Sequence, residues 1–202
     1  MTRLALLGIA ADGPALAPRL APCPEAADAA ALLAHHRQVV AEAEAGRFLP
    51  APWGIAFESP ASADSAIDRH ALILADRLAS LGGGVEWLLR GTLAPEIEAP
   101  ETGRDFLKAR ARRQAGQARL AAEAGARAVR LEAEGSRFVA QRKRGDDTLD
   151  LIFWMDRGWT RPRLAALLAG EAEGLCWRLT GPWPAYAAAG LAPLFLDRRK
   201  PA

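Results

Sequence analysis

The run Leu149-Asp150-Leu151-Ile152-Phe153-Trp154-Met155 is apolar on both of the faces between which a strand alternates, so it belongs inside a sheet covered on both sides. That requirement forces a layered fold around it. Gly145-Asp146-Asp147 stands just before it and joins Arg137–Arg144 to Thr148–Asp156 as a hairpin. A long helix is predicted from Gly103 to about Gly125, with Leu107, Ala111, Ala118 and Ala122 as a stripe small enough to let another helix approach. Its outward face is basic: Lys108, Arg110, Arg112, Arg113 and Arg119. Thr160 and Pro162 open a short helix that carries Leu164, Leu167 and Leu168 and stops at Gly170. Leu175–Thr180 is a last strand, with Leu175, Trp177 and Leu179 on one side. The order α-β-β-α-β predicts a ferredoxin-like sandwich.

The first half reads as a second α+β lobe. Leu4–Ala10 is a strand ended by Asp12-Gly13-Pro14, and the proline-rich stretch Pro14–Pro24 is a loop. A helix from Glu25 to about Ala45 carries Ala29, Leu33, His36, Val40 and Ala43 on one stripe. Regular pairing then resumes near Trp53, after two prolines, with Trp53, Ile55 and Phe57 sharing a face. Ser62 caps a helix with the stripe Ile67, Leu74, Leu78 and Leu81, which Gly82–Gly84 stop. Val85–Arg90 alternates as a strand, giving β-α-β-α-β. Thr92–Thr102, rich in proline and glutamate, is the predicted junction, so the domains are expected at 1–98 and 99–202.

Charge follows the same division. Residues 1–98 carry 7 basic and 12 acidic side chains, and residues 99–202 carry 19 and 12, so the halves differ in sign. Halves of opposite sign permit head-to-tail self-association. The two cysteines, Cys23 in a loop and Cys176 in a strand, are sparse enough to suit a reducing cytoplasm, with Cys176 read as a small buried hydrophobe. No signal peptide or run of about 18 apolar residues is present, which predicts a cytoplasmic protein without a membrane span.

Catalytic chemistry finds no constellation. His35 and His36 diverge by about 100° on a helix and cannot share a metal. His70 lies on another helix, and no Cys-x-x-Cys pair exists. His36 therefore reads as a packed, hydrogen-bonded histidine. Gly82–Gly84 precede a strand rather than a helix, so they do not form a phosphate loop. No cofactor, metal or catalytic residue is predicted. A ferredoxin-like RNA-binding module is the alternative that the basic second half leaves open, with a small enzyme third. Arg137–Arg144 offers one aromatic residue for an RNA platform, which favours a solvated basic face and no nucleic-acid partner.

Near the C-terminus, Gly181-Pro182-Trp183-Pro184-Ala185-Tyr186 leaves the last strand as a rigid turn whose two aromatics cover apolar surface. This segment resembles the Gly-Pro-Trp-Pro-Pro-Tyr ending of the gas vesicle protein F/L family (GvpF/GvpL). Further matches run in the same order: His36 with Val39 and Val40, Leu49-Pro50 with Gly54, Leu78–Arg90, and Gly103 opening the long helix. Gly181, Pro182, Trp183 and Pro184 are the most specific of them. Pro52-Trp53 stands where the family has Arg-Phe, and Ala185 replaces its second proline. The chain is also short of strand material between Gly13 and Glu25. The resemblance implies an accessory protein of gas vesicle assembly, not an enzyme, found in the cytoplasm at the gas vesicle. Its implied partners are the hydrophobic shell protein and other accessory proteins. Trp183, Tyr186, Leu191, Leu194 and Phe195 are the expected contact residues, with the basic end Asp197–Lys200 keeping the tail soluble.

Overall fold

The hairpin around Gly145 forms as its sequence requires. The computed structural model describes residues 3–13, 15–24, 26–81, 83–94, 101–170 and 174–196. In chain order the elements are β1 (Leu4–Asp12), β2 (Ala15–Pro22), α1 (Ala29–Ala45), β3 (Phe48–Pro50), β4 (Ala56–Phe57), α2 (Pro60–Asp68) and α3 (Ala71–Leu81). They continue as β5 (Val85–Leu93), α4 (Gly103–Ala133), β6 (Arg137–Lys143), β7 (Thr148–Met155), α5 (Arg161–Leu167), β8 (Leu175–Trp183), α6 (Tyr186–Ala189) and α7 (Ala192–Phe195). Contacts divide the chain into two units, one of residues 1–86 with 183–202 and one of residues 87–182. Parts of the sequence expectations lie outside the described residues: Pro14, the helix start at Glu25, the stop at Gly82, the proline-rich part of the junction at 95–100, and the basic end at 197–200.

These boundaries replace the expected 1–98 and 99–202. The second unit is β-α-β-β-α-β, with β5 as its first strand and the sheet order β6-β7-β5-β8, the arrangement of a ferredoxin-like sandwich. Chain order alone groups β5 with the first half, but hydrogen bonding inserts it between β7 and β8. Strand β7 is central, paired antiparallel with β6, and buried from Leu149 to Met155. Gly91 allows close packing on this sheet, because a Cβ there would stand 2.6 Å from the Trp177 ring and 2.7 Å from Leu120. Asp150, polar in a buried strand, is held by Arg90 at 2.7 and 2.9 Å and by Arg144 at 3.0 Å. Those hydrogen bonds from arginine hold its carboxyl below the ordinary carboxylate range.

Helix α4 runs past Gly125 to Ala133, and it buries Leu120, Ala124, Arg127 and Leu131. The expected stripe is on the opposite side: Leu107 is exposed, as are Ala111, Ala118 and Ala122. Arg127 is buried, yet it donates to Glu123 and to the Gly170 carbonyl at 3.1 Å, and it lies 4.4 Å over the Trp177 ring. Cys176 is exposed, not buried, because the alternation of β8 turns Leu175, Trp177 and Leu179 inward instead.

The first unit departs further from expectation. The proline-rich stretch is not a loop but contains β2, which pairs antiparallel with β1 along its length. Its prolines are tolerated because β2 is an edge strand in the order β2-β1-β3. On its other side β1 pairs with β3 and β4, so Leu49-Pro50 is already in the sheet and Trp53-Gly54 is a turn. Helix α1 begins at Ala29, where Asp28 caps it by accepting from the Ala31 amide at 2.8 Å. It buries His35 and Val39, one position before the expected stripe. Ser59, not Ser62, caps α2 in a reciprocal capping box with Ser62. A break at Arg69-His70 then separates α2 from α3. The unit therefore reads β-β-α-β-β-α-α before the C-terminal helices join it. Its core gathers Leu6, Ile9, Leu49, Ile55, Ile67, Leu74 and Leu78 with Ala189 and Leu191 from the far end of the chain.

Candidate functional site: an apolar patch held by the C-terminal segment

Three polar side chains, from His36, Glu86 and Arg77, build the segment after β8 into the first unit. The Tyr186 hydroxyl is hydrogen-bonded to His36 Nδ1 at 2.9 Å, across 150 residues of sequence. The Glu86 carboxylate accepts from the Ala187 and Ala188 amides at 2.8 and 3.2 Å, capping the start of α6. Arg77 donates to the Ala189 and Gly190 carbonyls at 3.0 and 2.7 Å, satisfying the other end. Gly190 turns there with φ 59°, and a Cβ would stand 2.9 Å from the Arg77 guanidinium. Burial, and then the charge of Glu86, push the Tyr186 phenol well above its ordinary pKa, so it stays protonated.

His36 also brings exposed apolar side chains near one another. Its ring is 5.6 Å from the Trp183 ring and 6.0 Å from that of Tyr186. Leu32 and Leu33 lie one helical turn before it on α1, so they share its side of the helix. Their exposures are 49% and 48%, and that of Trp183 is 39%, high values for large apolar side chains. His35 points the other way, with Nε2 3.3 Å from the Ala51 carbonyl and its ring edge-on to Trp53 at 5.2 Å. Burial, the larger influence, lowers its pKa.

The expected contact residues thus separate. Trp183 is at the surface. Tyr186 is half-buried and tied to His36. Leu191 is fully buried in the core and presents nothing to a partner, while Leu194 and Phe195 pack against that core. Phe195 stands edge-on to Phe57 and His70. Of the other motif positions, Leu49 and Pro50 are buried in β3 and Gly54 turns with φ 101°. Gly103 opens α4, and Gly181-Pro182 is a cis peptide at the end of the second unit, followed by Pro184 in the first. Sequence reasoning missed Leu32 and placed Leu33 inside; only the phase of α1 reveals them. Among the described residues no cluster of His, Cys, Asp or Glu is arranged to hold a metal, and no helix is long and apolar enough to cross a membrane.

The chain thus forms two small α+β units, the first completed by the residues that follow the Gly-Pro-Trp-Pro turn. The family model described as "Gas vesicle synthesis protein GvpL/GvpF" matches residues 11–152, and the chain belongs to that family. The crystal structure of gas vesicle protein GvpF from Microcystis aeruginosa is similar in fold, with a TM-score of 0.64 at 15% identity, over 94% of this chain and 99% of that one. No curated protein sequence matches significantly. Gly181–Pro184 lies beyond the span of the family model, so His36–Tyr186 ties the matched region to a segment outside it.

Proposed function

We propose that this protein is a non-enzymatic accessory factor of gas vesicle formation, acting in the cytoplasm at the growing vesicle. It binds the hydrophobic shell protein through the patch of Leu32, Leu33, His36 and Trp183, and works alongside other accessory proteins. The observation that carries this reading is that exposed Trp183 lies against His36, one turn from exposed Leu32 and Leu33 on α1. A shell subunit with one hydrophobic side aggregates when free, and a partner that covers that side until incorporation prevents it. Trp183 suits such a contact, because it offers large apolar area with little side-chain entropy to lose.

Pull-down of purified shell protein tests the proposal. Trp183→Ala is expected to reduce capture at least about tenfold, as removal of a central aromatic anchor does, while the circular dichroism stays that of wild type. Undiminished capture by a folded Trp183→Ala protein would remove the patch from the account. Truncation after Thr180 is not a usable variant, because it strips Ala189 and Leu191 from the core.

A further inference from the structure

Among the described residues, α3 in the first unit and α4 in the second each expose large apolar side chains, with charges of opposite sign nearby. On α3, Leu72 is 90% exposed and Ile73 48%. Around them in the chain stand Asp64 and Asp68 of α2 and Asp76 of α3, all exposed, with Arg69 as a basic neighbour. On α4, Leu107, Ala111, Ala118, Ala122, Gly125 and Val129 recur at intervals of three, four and seven residues. That spacing sets them along one line of the helix, on the side away from the buried Leu120, Ala124 and Leu131. All six are exposed, Leu107 at 64% and Val129 at 65%. The line is about 33 Å long at 1.5 Å per residue, and its N-terminal half is flanked by Arg104, Lys108, Arg110 and Arg112.

We infer that these two surfaces are the complementary halves of a head-to-tail contact between copies of this chain, the α2–α3 face of one copy docking on the outward stripe of α4 of the next. Charge selects this pairing. Two α4 stripes laid in parallel oppose arginine with arginine, and two α3 faces oppose aspartate with aspartate. Only the crossed arrangement sets Asp64, Asp68 and Asp76 against Arg104, Lys108 and Arg110. The stripe's alanines and Gly125 admit an approaching helix closely, while Leu107 supplies an apolar contact for Leu72. A contact between unlike faces uses a different surface on each of the two copies it joins. The inference is independent of the shell-protein patch, which uses α1 and Trp183.

Sedimentation velocity over a concentration series is the test. The wild type should sediment as species heavier than 21.5 kDa as concentration rises, and salt should reverse this. Leu72→Asp/Ile73→Asp disables the α3 face, and Leu107→Asp/Ala111→Asp disables the α4 stripe. Each variant alone should be monomeric, and an equimolar mixture should form a pair of chains and nothing larger, since one intact face of each kind remains. These four residues are surface-exposed, so circular dichroism should be unchanged. A wild type that stays monomeric throughout, a variant that still associates, or a mixture that does not pair would overturn the inference.

Discussion

Tyr186 and His36 show how a single hydrogen bond can join residues 150 apart in the chain. Tyr186→Phe keeps the ring, with its contacts to His36, and removes only the hydroxyl, leaving Nδ1 half-buried without that partner. Loss of about 0.5–1.5 kcal/mol is expected, read as a lower urea midpoint at unchanged slope. His35 contributes in a pH-dependent way. Its folded pKa lies below the ordinary 6.5 of the unfolded chain, so between the two values the unfolded state holds the extra proton. Its stabilisation is complete above pH 6.5 and is lost as pH falls below it, with a slope of at most about 1.4 kcal/mol per unit. His35→Gln keeps a side-chain donor for the Ala51 carbonyl but does not titrate. Urea midpoints measured between pH 7.5 and 5 should fall less steeply for it than for wild type. Of these residues the sequence marks His36 and Tyr186 by resemblance and gives His36 as a packed, hydrogen-bonded histidine. It does not mark their pairing, because 150 intervening residues carry no local trace of it.

Among the elements, those whose burial is symmetric are legible in the sequence and those defined by phase or by position in a sheet are not. Strand β7 is apolar on both faces and could only be central. Strand β2 contains Pro18 and Pro22, which argue against a strand until its edge position is known. Helix α4 carries two stripes at helical spacing on opposite sides, Leu107-Ala111-Ala118-Ala122 and Leu120-Ala124-Arg127-Leu131. Periodicity finds both and cannot choose, and the buried one includes an arginine that composition counts as surface. Strand β1 depends on a close approach: a Cβ on Gly8 would run into the Leu49 carbonyl oxygen and the Phe48 ring. Gly8→Ala is therefore expected to push β3 from β1 and cost about 1–3 kcal/mol, seen as a lower melting temperature.

For the molecule as a whole, the order of the chain is not the order of the units. Strand β5 follows α3 directly yet belongs to the second sheet, and the last residues return to complete the first core. Local pattern cannot show either step, since both are decided by long-range pairing. A fragment of residues 85–183 holds all four strands of its sheet and both helices, and should melt cooperatively on its own. A fragment of residues 99–182 lacks β5 between β7 and β8 and should not. Circular dichroism melts of the two distinguish this division from one at residue 98.

The central claim is that the tied-down C-terminal segment presents Trp183 beside Leu32 and Leu33 as the surface that holds the shell protein. Titration of labelled shell protein with wild type, Leu33→Glu and Leu72→Glu measures this most directly. Both substituted leucines are exposed, so both variants should fold. The account predicts affinity at least about tenfold weaker for Leu33→Glu and unchanged for Leu72→Glu, whose side chain lies outside the patch. Equal affinity for all three proteins, or a loss confined to Leu72→Glu, would contradict it.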